Sequence, residues 1–155
     1  MTRNPWDARQ IDIDDPRTAR CVSRFHTREM ADKWPNFRVA IESAWLTRWE
    51  GLIKPLAQPY LIRIEFIPGV RTDNIHVPFH SPRVYVLDPV LKRRVEEPNT
   101  RVPHLYNEKH PARLCLFFPS GKEWGWRDSI AETILPWTCE WLARYEFWLA
   151  TGEWT

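Results

Sequence analysis

The stretch that decides the fold is His104–Trp154, HLYNEKHPARLCLFFPSGKEWGWRDSIAETILPWTCEWLARYEFWLATGEW. It joins a polar loop, a short extended segment with one cysteine, a tight turn with two tryptophans, and a long aromatic helical region. In Arg113-Leu114-Cys115-Leu116-Phe117-Phe118 an extended backbone sends Arg113, Cys115 and Phe117 to one side. Leu114, Leu116 and Phe118 go to the other. Cys115 is thereby parted from the leucines and set beside a permanent positive charge. A guanidinium there favours the thiolate, which is the attacking species. The same pattern also suits a small buried hydrophobe in a core strand, so the local sequence leaves both readings open.

Downstream, Ser129-Ile130-Ala131-Glu132 has the form of a capping box, the serine capping and the glutamate reaching back. Ile130, Ile134, Trp137, Trp141, Tyr145 and Trp148 then recur at helical spacing, with Leu135, Leu142 and Leu149 as a second row. Pro136 is expected to kink this helix or to begin a second one. Gly152 stops it. The aromatic row is core first and partner surface second, and Trp154 is a candidate contact.

Upstream, residues 1–14 carry no strong pattern. Asp15-Pro16 offers an N-cap with proline at the first helical position. Val22, Phe25, Met30 and Trp34 continue an apolar face, and Pro35 closes it, which predicts a helix over 16–33. Val39–Trp49 is rich in β-branched and aromatic residues and predicts a strand leaving at Gly51 and Pro55. Tyr60–Ile67 alternates cleanly, with Tyr60, Ile62, Ile64 and Phe66 on one face and Arg63 and Glu65 on the other. Pro68-Gly69 turns the chain, and Arg83–Leu87 is a third strand. Residues 88–113 show no sustained period and contain Pro89, Pro98, Pro103 and Pro111. A run this long inside a domain is usually functional or mobile. The order predicts an α+β fold, an antiparallel β-meander flanked by an N-terminal helix and C-terminal helices.

The 155 residues fit a single domain spanning 1–155, with its core at about 16–150. A net charge of +2 argues against a dedicated nucleic-acid binder, so no nucleic acid is expected. The basic run Lys92-Arg93-Arg94 meets Glu96-Glu97 at once and reads as a solvated loop. Three widely spaced cysteines, Cys21, Cys115 and Cys139, imply no disulfide framework. Cys21 and Cys139 fall on predicted helices and read as packing residues. His104, His110 and Cys115 lack a fourth ligand at a plausible spacing, so neither metal nor other cofactor is expected. There is no signal-peptide core and no segment of membrane-span length, which makes a cytoplasmic protein the expectation, with no membrane partner.

Several of these patterns together resemble the ubiquitin-conjugating fold. Trp49-Glu50-Gly51-Leu52-Ile53-Lys54-Pro55 resembles that family's first-strand pattern, Tyr60–Gly69 its second strand and turn, and Arg83–Leu87 its third. His104-Leu105-Tyr106-Asn107 stands in the place of the His-Pro-Asn motif, Leu114-Cys115-Leu116 in that of the active-site Ile-Cys-Leu, and Trp124 where the family has a tryptophan. The resemblance covers roughly residues 20–150. The Trp-dense C-terminal helix is similar to that of stand-alone bacterial members found beside cyclic-oligonucleotide synthases in anti-phage operons.

The resemblance implies that Cys115 carries the C-terminal glycine of a protein partner as a thioester and passes it to an amine. That partner would be a ubiquitin-like protein or the synthase itself, a CD-NTase. It also implies that Asn107, eight residues before Cys115, stabilises the oxyanion, and that His104 holds the loop. Two departures stand out: no proline follows His104, and the asparagine comes three residues after it instead of two. The chain has no Gly-rich phosphate loop, so any adenylation would come from a separate adenylating enzyme. His110-Pro111, five residues before the cysteine, looks like the same motif only superficially. A catalytically silent binding scaffold on this fold is the alternative, and a thiol hydrolase using Cys115 and His110 a third.

Overall fold

The computed structural model describes residues 15–68, 82–117, 123–125 and 127–155. The expectations for residues 1–14, Gly69, Phe118 and Trp126 lie outside them. Helix α1 spans Pro16–Lys33. The Asp15 carboxylate accepts from Thr18 N at 3.1 Å, and Pro16 occupies the first turn, where a missing N–H leaves nothing unpaired. The helix ends where Trp34 N donates to Met30 O, one residue before Pro35. Its core face is Ala19, Val22, Ser23, His26 and Met30. His26 thus takes an inward position that the apolar pattern gives to Phe25.

Six strands follow: β1 (Arg38–Glu42), β2 (Thr47–Ile53), β3 (Tyr60–Phe66), β4 (Arg83–Asp88), β5 (Leu105–Asn107) and β6 (Ala112–Leu114). All neighbours pair antiparallel, in the order β1-β2-β3-β4-β6-β5. The expected strand Val39–Trp49 is in fact β1 and the start of β2, folded about a turn at Ser43. Ser43 Oγ accepts from Trp45 N and Leu46 N at 3.2 and 2.9 Å, and Ser43 N donates to Leu46 O. A serine hydroxyl can close a turn without glycine or proline, so propensity runs straight through it. Strand β2 also passes through Gly51 instead of leaving there. A Cβ at Gly51 would sit 2.6 Å from the Phe37 ring, so the glycine makes room for the aromatic lid on the strand.

Alternation in β3 is as the sequence predicts. Tyr60, Ile62, Ile64 and Phe66 are fully buried, while Arg63 and Glu65 turn outward to Glu50 and Arg48. Full burial of each such apolar side chain contributes roughly 1.5–3 kcal/mol. The sheet's buried face and both helices share one core that includes Trp49, Val86, Leu114, Leu135, Trp141 and Leu142.

Helix α2 spans Ile134–Thr151, the single C-terminal helix among the described residues. Pro136 neither kinks it nor starts a second one, because it falls in the first turn, where no N–H is required of it. The capping box is half formed: Ser129 Oγ accepts from Glu132 N, but the Glu132 carboxylate pairs with Lys33 of α1. Residues 130–133 are a turn leading into the helix. Gly152 stops it at φ 82°, a left-handed backbone that favours glycine.

The irregular run between β4 and β5 is pinned to α2. Tyr145 Oη donates to Lys92 O and accepts from Lys92 N, and Arg94 Nε donates to Leu149 O. Arg93 pairs with Glu108 at 2.8 Å, and the Arg94 side chain, 9% exposed, pairs with Glu97. Lys92 and Arg93 are exposed on a loop, as the solvated-loop reading has it, but the guanidinium groups of Arg93 and Arg94 act as clamps, and that of Arg94 is turned inward. Periodicity missed them because their partners lie 15 and 55 residues away.

Candidate functional site

Strand β6 ends at Leu114, and the next residue is Cys115. Ala112 and Leu114 point into the core, which leaves Arg113 and Cys115 on the opposite side of the strand, both half-buried. The backbone of Cys115 is fixed by donation from its N–H to His104 O at 3.0 Å. Its thiol lies 3.9 Å from Phe117 O.

His104 has φ 52°, the left-handed region, which costs a residue with a Cβ about 1–2 kcal/mol. The surroundings hold it there. Its carbonyl accepts from both Cys115 N and Trp141 Nε1, each at 3.0 Å, and its ring packs on Trp154 at 5.3 Å between centroids. His104 thus ties the loop before β5 to the cysteine segment and to α2, and the tie is made by its backbone carbonyl.

Beside Cys115 opens a trough of about 350 Å³. Its walls are aromatic: His104, Phe117, Trp137, Trp141 and Trp154. Trp141 and Trp154 meet edge to face at 5.2 Å, and Phe117 and Trp137 lie 5.7 Å apart. The rim is charged, with Glu123 and the Glu140–Arg144 pair. An apolar channel with a polar edge, open at the sulfur, suits an extended peptide segment.

Two polar side chains of β5 take different directions. Asn107 is exposed and engaged locally: its Oδ1 accepts from Lys109 N at 3.0 Å and its Nδ2 donates to Lys109 O at 3.2 Å. It is not part of the trough wall. Tyr106 turns towards the cysteine. Its hydroxyl, on a residue 45% exposed, donates to Phe117 O at 3.2 Å, the same carbonyl that the Cys115 thiol approaches. Burial first, and then Cys115, push the phenol up to about 12. The Arg113 guanidinium sits 4.5 Å from the centre of the Tyr106 ring. Burial draws that guanidinium below its ordinary range, Arg83 adds to the effect, and Tyr85, Tyr106 and Cys115 oppose it. Arg113 and Cys115 are thus close enough to interact, as their alternation predicts.

The structure brings Cys115 and His104 together and turns Asn107 to the hairpin. His110 is exposed, outside the trough, in a cis peptide bond to Pro111. Cys139 packs against the core, with its thiol pushed up by burial. Cys21 is exposed on α1, which corrects its reading as a packing residue. Tyr106, on the carbonyl that the Cys115 thiol also approaches, is the neighbour that the sequence did not single out. Trp154, a candidate contact in the sequence, lines the trough. Among the described residues no helix is long and apolar enough to cross a membrane.

No curated protein matches the chain. A family model described as "Type II CBASS E2 protein" matches residues 26–155, from the middle of α1 through the whole sheet, the Cys115 segment and α2. With most of its length matched, the chain belongs to the Type II CBASS E2 family.

Proposed function

We propose that this protein carries the C-terminal glycine of a partner protein as a thioester on Cys115 and transfers it to an amine. Its family implies a ubiquitin-conjugating-like role in CBASS, with protein partners in that system. The observation that carries the finer reading is the half-exposed Cys115 thiol at the end of β6, opening on an aromatic trough that can hold a peptide tail. The partner is the CD-NTase of the same operon or a ubiquitin-like protein.

In the first step the Cys115 thiolate attacks the carbonyl carbon of an activated glycine, an acyl adenylate made by a separate adenylating enzyme. The carbon–sulfur bond forms and AMP leaves with the electron pair of the broken acyl–oxygen bond. In the second step a neutral amine, usually from a lysine, attacks the same carbon. The carbon–sulfur pair returns to Cys115 as thiolate, and the surplus amine proton goes to solvent. His104 acts by its carbonyl, holding Cys115 N and α2 in one arrangement. Asn107 gives one of its two Nδ2–H donors to Lys109 O and lies on the hairpin turn, outside the trough wall.

Incubating the protein with the CD-NTase encoded beside it, and with any neighbouring adenylating enzyme and ATP, tests the reading. The expected product is an adduct that thiols cleave and that Cys115→Ala loses. The second reading is a catalytically silent scaffold, favoured by the engagement of Asn107 with Lys109. Retained partner binding with no adduct under any condition would establish it instead.

A further inference from the structure

We propose that Tyr106 is a catalytic residue whose hydroxyl donates the hydrogen bond that stabilises the oxyanion formed on the acyl carbon carried by Cys115. The inference rests on the thioester reading above and assigns a further group to it. The starting point is the extra residue in His104-Leu105-Tyr106-Asn107. In the hairpin Leu105 pairs with Leu114 and Asn107 with Arg113, so the register slips between them and Tyr106 is the additional residue. A bulge of this kind bends its strand and re-aims a side chain. Here it leaves Asn107 on the turn, bonded to Lys109, and brings the Tyr106 hydroxyl to Phe117 O, beside the sulfur.

The geometry at the sulfur is that of a held donor. Tyr106 Oη and Cys115 Sγ address the same acceptor, Phe117 O, at 3.2 and 3.9 Å. Arg113 over the ring fixes the phenol's position. A phenol's ordinary value of about 10 already keeps it protonated at neutral pH, so it is available as a donor and not as a base. Rotation of the O–H bond suffices to redirect its hydrogen from Phe117 O to a newly charged oxygen on the acyl carbon.

When the amine nitrogen bonds to the thioester carbon, the carbonyl π pair moves onto oxygen, and the Tyr106 O–H stabilises it there. As that pair re-forms the carbonyl, the carbon–sulfur bond breaks and its electrons stay on Cys115. The amine proton leaves to solvent, and Tyr106 keeps its own. A donor aimed at developing charge stabilises it where the charge forms. Tyr106 stands outside the trough wall, on the other side of Leu116 and Phe117, which line both the trough and the small cleft that holds Tyr106 and Arg113.

The test needs no natural partner. The wild-type protein, Tyr106→Phe and Asn107→Ala are loaded on Cys115 from the benzyl thioester of acetylglycine, with benzyl thiolate leaving. Discharge to free lysine is then followed by intact mass in single turnover. Phenylalanine keeps the ring beneath Arg113, and a melting curve for each variant verifies its fold. Tyr106→Phe is expected to slow discharge about 100-fold and to lose more than Asn107→Ala. Discharge by Tyr106→Phe within about threefold of wild type, an energy difference under ~1 kcal/mol, would overturn the inference while leaving the thioester intact. So would a larger loss in Asn107→Ala. If wild type does not load on Cys115 at all, the thioester reading falls and takes this inference with it.

Discussion

Between β2 and β3 seven residue pairs run in unbroken register, from Thr47–Phe66 to Ile53–Tyr60. Between β5 and β6 two pairs form, with a bulge between them. At the first end the ladder supplies its own order: apolar residues fill one face, and Arg48–Glu65 and Arg63–Glu50 pairs lie across the other. At the second end the ladder is too short to fix anything alone. Order comes largely from outside it, through Trp141 Nε1 on the His104 carbonyl and Trp154 on the His104 ring, with Arg113 over Tyr106 across the hairpin itself. Regular pairing carries stability, whereas the cysteine stands where pairing fails and side chains from a distant helix take over. A short, bulged hairpin frees polar groups and re-aims side chains, which is what a reacting thiol needs.

The contrast can be broken from either side. Ile62→Ala, in the centre of the regular end, should cost about 2–5 kcal/mol through lost burial and a cavity, measured by denaturant unfolding. Loading of Cys115 by a small glycyl thioester should persist at temperatures where the variant is folded. A larger effect on loading than on folding would mean that the two ends are not separable. Trp141→Phe removes the donor that α2 gives to His104 O. It should cost only about 1 kcal/mol in stability yet lower the rate of acyl loading, because the αL turn at His104 loses one of its two holding bonds. Equal loss in both readouts would make Trp141 a packing residue and nothing more.

A smaller effect should appear in acid. Arg93 first, then Val102 N–H and Arg101, hold Glu108 down at about 2, below its ordinary value of 4.5. A depressed carboxyl stabilises the folded state fully above 4.5 and ceases to do so as pH falls towards 2. Glu108 is a fifth exposed, so screening limits the effect to less than about 1 kcal/mol. Glu108→Gln should flatten the acid limb of the unfolding curve over that window and leave stability at pH 7 slightly lower. An unchanged acid limb would remove this clamp between the loop before β5 and the hairpin.

The regular end was the legible one. Asp15-Pro16 set the start of α1, Pro35 marked its close, and the alternation from Tyr60 to Phe66 fixed β3, because capping and period-two burial are local and strong. Serine 43 hid a turn because a hydroxyl closing on Leu46 leaves no glycine or proline to read. Pro136 suggested a break because its place in the first turn depends on where α2 begins, and Glu132, drawn to Lys33, does not announce that start. At the site, alternation put Cys115 beside Arg113 and the resemblance singled out His104, while Asn107, chosen by its spacing from Cys115, turns to Lys109. The Tyr106 direction was not legible, since it depends on a register slip between two three-residue strands, and a slip has no signature in composition. The Arg93 and Arg94 clamps were equally hidden, their partners being far along the chain.

Three thiols make the most direct test available. Cys21 is exposed, Cys115 half-buried at the trough and Cys139 half-buried on α2. With Cys115→Ser, the CD-NTase and the adenylating components should accumulate an oxyester stable to thiols, and peptide mapping by tandem mass spectrometry should place the junction at position 115. A wild-type adduct mapped to Cys21 or Cys139, or an adduct that survives Cys115→Ala, would contradict the account.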